Sequence, residues 1–259
     1  MEAGGQVVII TGAGTGLGLA VVTSMVASSK ISHIFAVDLV VEALELLQAE
    51  ASGKLTVMQG DISPDSGMEM NRKLVEAAVE RFGRINAILL NAAMVKPLGR
   101  INQTPLKDWK CAWDVTFFAS IDMIQHAWPH LQKSKGCISF TSTSITLGPV
   151  ETWVCYASTK NALNYLASCI PMEDPNVKSI AIHPGSVNTP GFDKVSKDPS
   201  LSESVRSFLK QLKEEGSLLD PLVPAEAFVK VAESGVPHVL NGKMVSWEDV
   251  LNVNDRAEV

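Results

Sequence analysis

Tyr156 and Lys160 are the two side chains whose types and spacing most clearly offer chemistry. They stand four residues apart in a stretch with helical apolar periodicity, residues 156–169, so a helix would carry both on one face. A phenol ordinarily ionises near a pKa of about 10. A nearby ammonium stabilises the phenolate and lowers that value, which suits proton transfer near neutral pH.

A second constellation lies near the start of the chain. The apolar run 7–10 leads into Thr11-Gly12-Ala13-Gly14-Thr15-Gly16-Leu17-Gly18, the pattern T-G-x-x-x-G-x-G at a strand-to-helix turn. Gly12, Gly16 and Gly18 let the backbone turn tightly and approach a ligand. The helix start at Thr15, Gly16 and Leu17 offers free N–H groups and a favourable dipole to a pyrophosphate. Asp38 follows the second apolar run, twenty residues after Gly18, with Leu39 next to it. A carboxylate there can accept hydrogen bonds from the ribose hydroxyls of an adenine dinucleotide. It would repel a 2′-phosphate by roughly 1–4 kcal/mol per close charge pair, and Thr15 brings no compensating positive charge. The expected cofactor is therefore NAD(H), with NADP(H) as the alternative. A plainer role for Asp38 is to cap the following helix.

These residues need a frame that holds them at one edge. Short apolar runs at 7–10, 34–37, 55–58, 85–90, 137–141 and 177–182 alternate with helical patterns at 17–29, 40–51, 68–82, 106–131 and 156–169. Such alternation predicts βα units around a parallel sheet buried on both faces. The fold class is α/β, a single doubly wound, Rossmann-type parallel sheet with helices on both faces, as one domain over residues 1–259. After Pro184 the pattern breaks. Residues 186–202 are rich in Gly, Pro, Ser, Asn and Asp and read as a long loop, followed by helical segments at 201–215 and 224–234 and a last strand at 243–247. A substrate lid is expected near 186–215.

Tyr156-Ala157-Ser158-Thr159-Lys160, placed after the glycine-rich turn, resembles the Y-x-x-x-K motif of the classical short-chain dehydrogenases/reductases. The similarity runs over almost the whole chain. Asp61-Ile62 resembles the pair that contacts adenine in that family. Asn91-Ala92-Ala93 resembles its N-A-G segment, with alanine for glycine. Pro184-Gly185-Ser186-Val187-Asn188-Thr189 resembles its P-G-x-V-x-T segment over the nicotinamide. The resemblance implies that Lys160 also holds the nicotinamide ribose, and that Tyr156 passes a proton to or from the carbonyl oxygen as hydride moves.

Two positions depart from the family. The catalytic serine is replaced by Thr143, with Ser142 as an alternative hydroxyl. The asparagine of the D-V-N triplet is replaced by Thr116 in Asp114-Val115-Thr116, which keeps the main-chain carbonyl of the family's proton relay and loses the amide. Leu147, Pro149, Val150, Trp153, Met94, Val95 and Phe192 fall where the family lines its substrate site. They point to an apolar or aromatic alcohol or ketone. Residues 209–220 and 223–225, with Glu173-Asp174-Pro175-Asn176-Val177, are similar to the benzil reductase and sepiapterin reductase-like subgroup, which implies an NADPH-dependent 1,2-dicarbonyl reductase as the rival activity. A low-activity nucleotide-binding regulator is a third reading, motivated by Thr116 and Thr143.

The formal net charge of −6 and the lack of a basic run exclude an ordinary nucleic-acid binder and give no attraction to an anionic membrane. No apolar stretch reaches the length of a membrane span, and Met1-Glu2-Ala3-Gly4-Gly5 does not read as a signal peptide. Cys111, Cys137, Cys155 and Cys169 form no C-x-x-C pair, so no metal site is expected and free thiols in the cytoplasm are. The expected partner is a small alcohol or carbonyl compound. A homodimer or homotetramer is implied by the resemblance alone.

Overall fold

The computed structural model describes residues 4–253, so Met1–Ala3 and the ends of the 1–259 span lie outside the described residues. Seven strands form one parallel sheet in the order β3-β2-β1-β4-β5-β6-β7. They are β1 (Gln6–Thr11), β2 (Ile31–Asp38), β3 (Leu55–Gln59), β4 (Ala87–Leu90), β5 (Cys137–Thr141), β6 (Lys178–His183) and β7 (Met244–Ser246). The strand interiors are largely apolar because both faces are covered, and the polar residues fall mostly toward the strand ends. In β1, Val8 and Ile10 enter one core while Val7 and Ile9 enter the other; β2 divides Ile34 and Ala36 from Phe35 and Val37 in the same way. Each such fully buried side chain contributes about 1.5–3 kcal/mol.

One face is covered by α1 (Gly16–Ala27), α2 (Glu42–Glu50), α9 (Leu222–Ser234) and α10 (Trp247–Asn252). The other is covered by α3 (Met70–Phe82), α5 (Ala119–Ser134) and α6 (Val154–Glu173), with α4 (Leu106–Trp113) leading into α5 through the π-helical turn Asp114–Phe118. The chain leaves β1 for β2 on one side and later returns to β4 on the other. That reversal opens a crevice beyond the carboxyl ends of the strands, the place where open α/β sheets bind ligands.

Three sequence readings change here. The segment 186–202 is not all loop: Thr189 caps a short helix, α7 (Pro190–Ser196), by accepting from the Phe192 amide, and Pro190 occupies the first turn. The region 243–247 splits into β7 and the start of α10, because Ser246 and Asp249 form a reciprocal capping box. The helix expected at 106–131 runs on to Ser134, and the π-helical turn interrupts it at Asp114. The segment expected to act as a lid continues in α8 (Glu203–Glu214).

Candidate active site

A cavity of about 960 Å³ runs along the carboxyl edge of the sheet, from the glycine-rich turn to the lid. At its first end the backbone leaves no spare room. A Cβ on Gly14 would sit 1.8 Å from the Val40 carbonyl oxygen, and one on Gly18 would sit 2.0 Å from the Gly12 oxygen. Asn91 Nδ2 donates to that Gly12 oxygen at 2.7 Å, and Thr141 Oγ1 donates to Asn91 Oδ1 at 3.0 Å, so the turn is tied to β4 and β5. Thr15 occupies the N-cap of α1 without a side-chain cap, and no acidic residue stands in the first turn. Thr15, Gly16, Leu17 and Gly18 line the cavity, and the first N–H groups of a helix have no partner within it. This cradle fits the pyrophosphate of a dinucleotide.

Asp38 also lines the cavity. Its Oδ2 accepts from the Gly14 amide at 2.7 Å and its Oδ1 from the Val40 amide at 3.2 Å. The N-cap of α2 is Val41, so Asp38 does not cap that helix. The two amides fix the carboxylate, and each oxygen keeps a lone pair for a ribose hydroxyl. Leu39, Asp61 and Ile62 complete this end, with Asn91, Ala92 and Ala93 along the floor and Pro184, Gly185, Val187 and Thr189 on the lid side. Lys160 is the one basic residue among the described lining residues.

Tyr156 and Lys160 share the inner face of α6, as their spacing predicts, and both line the cavity. Lys160 Nζ stands 5.8 Å from the Tyr156 ring centre and donates to the Thr141 carbonyl at 2.6 Å. The expected lowering of the phenol is not realised in the protein alone. Burial pushes Tyr156 up to about 12 and Lys160 down to about 7. The physical reason is desolvation, which disfavours the charged form of each group; an ammonium that is partly neutral at pH 7 does little to stabilise a phenolate.

Thr143 and Ser142 separate cleanly. Thr143 lines the cavity, while Ser142 is buried and spends its hydroxyl on Asn164 Oδ1 at 2.6 Å. Thr116 is fully buried in the π-helical turn. Its hydroxyl accepts from the Met94 amide at 3.0 Å, its carbonyl accepts from Ser120 Oγ at 2.8 Å, and its neighbour Val115 lines the cavity in its place.

The other end is mostly apolar, with Glu151 and Ser204 also in its lining. Val95, Pro149, Val150, Trp153 and Phe192 line it as expected, joined by Phe208 and Leu209 of α8, which the sequence reading missed. Two expected residues do not take part. Met94 is absent from the lining and packs its sulfur 3.7 Å from Cys111, and Leu147 points outward, 72% exposed. Leu98, Trp153, Leu201 and Leu209 form a small core of their own, apart from the two beneath the sheet. Two salt bridges hold the segment 190–214. Lys96 meets the buried Asp198 carboxylate at 2.8 Å, and Lys213 of α8 meets Asp193 of α7. Burial pushes Asp198 up, but the Lys96 ammonium and the Ser200 amide outweigh it and hold the carboxyl below its usual range. Just before α6, Thr152 is buried with φ +68°, and its carbonyl accepts from the Gly99 amide at 2.8 Å.

Comparison with known proteins follows the same outline. A family model described as short chain dehydrogenase matches residues 6–200. A benzil reductase ((S)-benzoin forming) of Saccharomyces cerevisiae is 31% identical over 261 residues, covering 95% of this chain and 97% of the relative. The crystal structure of another short-chain dehydrogenase/reductase from Saccharomyces cerevisiae superposes with a TM-score of 0.90 at 30% identity, over 95% of this chain and 97% of that one. A structure named KRED1-Pglu enzyme gives a TM-score of 0.88 at 29% identity, over 93% and 100% of the two chains.

Proposed function

The chain belongs to the short-chain dehydrogenase family, and from that premise we propose that it transfers hydride between NAD(H) and an apolar or aromatic ketone or alcohol. As a family member it is an oxidoreductase that uses NAD(H) or NADP(H) on a small molecule. The choice of NAD(H) is carried by Asp38, whose carboxylate is held in the cavity by two backbone amides. A 2′-phosphate beside it would meet Asp38 and Asp61 with no lining cation at that end.

The bound nicotinamide would supply or accept the hydride. Gly12, Thr15, Gly16, Leu17 and Gly18 would hold the pyrophosphate, Asp38 the adenine ribose and Lys160 the nicotinamide ribose. Thr143 donates a hydrogen bond to the substrate oxygen. Tyr156 gives that oxygen its proton in reduction and removes it in oxidation. A phenol pushed up to about 12 by burial stays protonated at neutral pH, the form that donates in reduction. The apolar walls from Trp153 and Phe192 to Phe208 suit a substrate with apolar groups.

A second reading is favoured by the benzil reductase relative: an NADPH-dependent 1,2-dicarbonyl reductase. Purified protein is assayed with NADH and NADPH on aliphatic ketones, aromatic ketones and benzil, with Tyr156→Phe as blank. NADH-dependent turnover that vanishes in the blank is the expected result. Turnover with NADPH alone overturns the Asp38 argument and selects the second reading; turnover with neither, alongside tight cofactor binding, selects a regulatory role. Exposed Tyr165 and Met172 on α6 and Phe118 beside α5 support a homodimer or homotetramer. Four free thiols support a cytoplasmic location. Among the described residues, no helix is long and apolar enough to cross a membrane.

A further inference from the structure

The inner face of α6 continues one turn beyond Lys160 to Asn164, so Tyr156, Lys160 and Asn164 follow one another at intervals of four residues. That face grips the exit of β5 residue by residue. Lys160 Nζ donates to the Thr141 carbonyl. Ser142 Oγ donates to Asn164 Oδ1 at 2.6 Å. Asn164 Nδ2 donates to Thr146 Oγ1 at 3.2 Å, and Thr146 Oγ1 donates in turn to the Thr143 carbonyl at 2.8 Å. Thr143 therefore sits between two ties that both end on one carboxamide.

We propose that Asn164 is the positioning residue that sets the Thr143 hydroxyl relative to Tyr156, an inference that rests on Thr143 acting as the hydroxyl donor. The chemistry of the side chain makes the role specific. Both ends of the amide are in use, the oxygen accepting and the nitrogen donating. Aspartate keeps the acceptor and loses the donor. Leucine keeps the shape and loses both. Thr143 itself has extended backbone, and its hydroxyl accepts from the Ile145 amide at 3.3 Å, so the short turn Ser144–Leu147 hangs on it as well. A loosened turn moves the donor without touching the cofactor end, whose ties run through Asn91 and Gly12 instead. The amide thus acts on the reacting oxygen at one remove, by holding the loop that carries its donor.

The test is a double-variant cycle on the full chain, read as kcat with benzil and the preferred nicotinamide cofactor, with cofactor Kd measured beside it. Asn164→Leu is expected to lower kcat about ten- to a hundredfold and to leave the cofactor Kd within about twofold. In a Thr143→Val background the same change is expected to cost little more, because the donor it positions is gone. Asn164→Asp should fall between, and Thr146→Val, which cuts the chain at its other end, should reproduce most of the loss even where Asn164→Leu folds poorly. Unchanged kcat in both Asn164→Asp and Thr146→Val overturns the inference, and so does a full further loss in the double variant. Unchanged kcat in Thr143→Val alone overturns the Thr143 reading and this one with it.

Discussion

The two ends of the cavity are held by different means. At the cofactor end every contact has main chain on at least one side: Gly14 against the Val40 carbonyl, Gly18 against Gly12, and the Asn91 and Asp38 side chains on backbone groups. At the lid end side chains meet side chains, through a small separate apolar core and the Lys96–Asp198 and Lys213–Asp193 pairs. Backbone contacts at that distance accept one residue type. Apolar contacts accept several of similar volume. The first end is built to hold one shape of ligand, and the second can change its guest without changing the fold.

The sharpest way to break this contrast is a single methyl group placed at each end. Gly14→Ala puts a Cβ into the Val40 carbonyl and displaces Asp38, so cofactor affinity should fall by more than about a hundredfold, as read by NADH fluorescence. Gly191→Ala, in α7, meets nothing nearer than Thr189 Oγ1 at 3.7 Å and replaces a helical glycine. It should raise stability by about 0.5–1 kcal/mol and keep cofactor affinity. Equal loss at both positions would remove the distinction.

Where the two ends meet, Lys160 has a pKa of about 7 when folded and 10.5 in its ordinary state. Between those values the unfolded chain binds the extra proton, so stability rises with pH. The gain from pH 7 to pH 9 should be about 2 kcal/mol in denaturant melts of the cofactor-free protein, and Lys160→Met should flatten it. Alcohol oxidation should climb across the same range without a plateau, because the Tyr156 phenol, at about 12, is still protonated. A plateau below pH 8 would show that the lysine charge outweighs burial once substrate and cofactor are in place. The smallest effect belongs to the lid. Asp198→Asn removes the charge that Lys96 meets and should raise substrate KM a few-fold, speed proteolysis near residues 196–202 and leave cofactor Kd unchanged.

The same contrast explains what could be read in the sequence. The glycine spacing is legible because a Cβ at Gly14 or Gly18 would collide with backbone, the shared face of Tyr156 and Lys160 because an interval of four is a helical one, and the strands because burial on both faces leaves apolar runs. The lid was not. Thr189-Pro190 is helix-start chemistry, yet the density of Gly, Pro, Ser, Asn and Asp around it reads as loop, and α7 went unseen. Ser246 and Asp249 likewise carry a capping box inside what reads as a strand. Position in the family pattern places Met94 and Leu147 at the cavity, but the direction of a side chain in a connecting segment depends on tertiary contacts. Asn164 had a signal, its eight-residue offset from Tyr156, which becomes informative once its two partners are known.

Thr152 carries a cost that stability engineering would detect before enzymology does. A β-branched residue held at φ +68° sacrifices about 1–2 kcal/mol, and here it does so immediately before Trp153 and the helix of Tyr156. A screen for thermal tolerance should therefore recover Thr152→Gly early. The resulting protein would be sturdier, with more freedom in the wall beside its substrate, so tolerance gained at this position would be traded against selectivity.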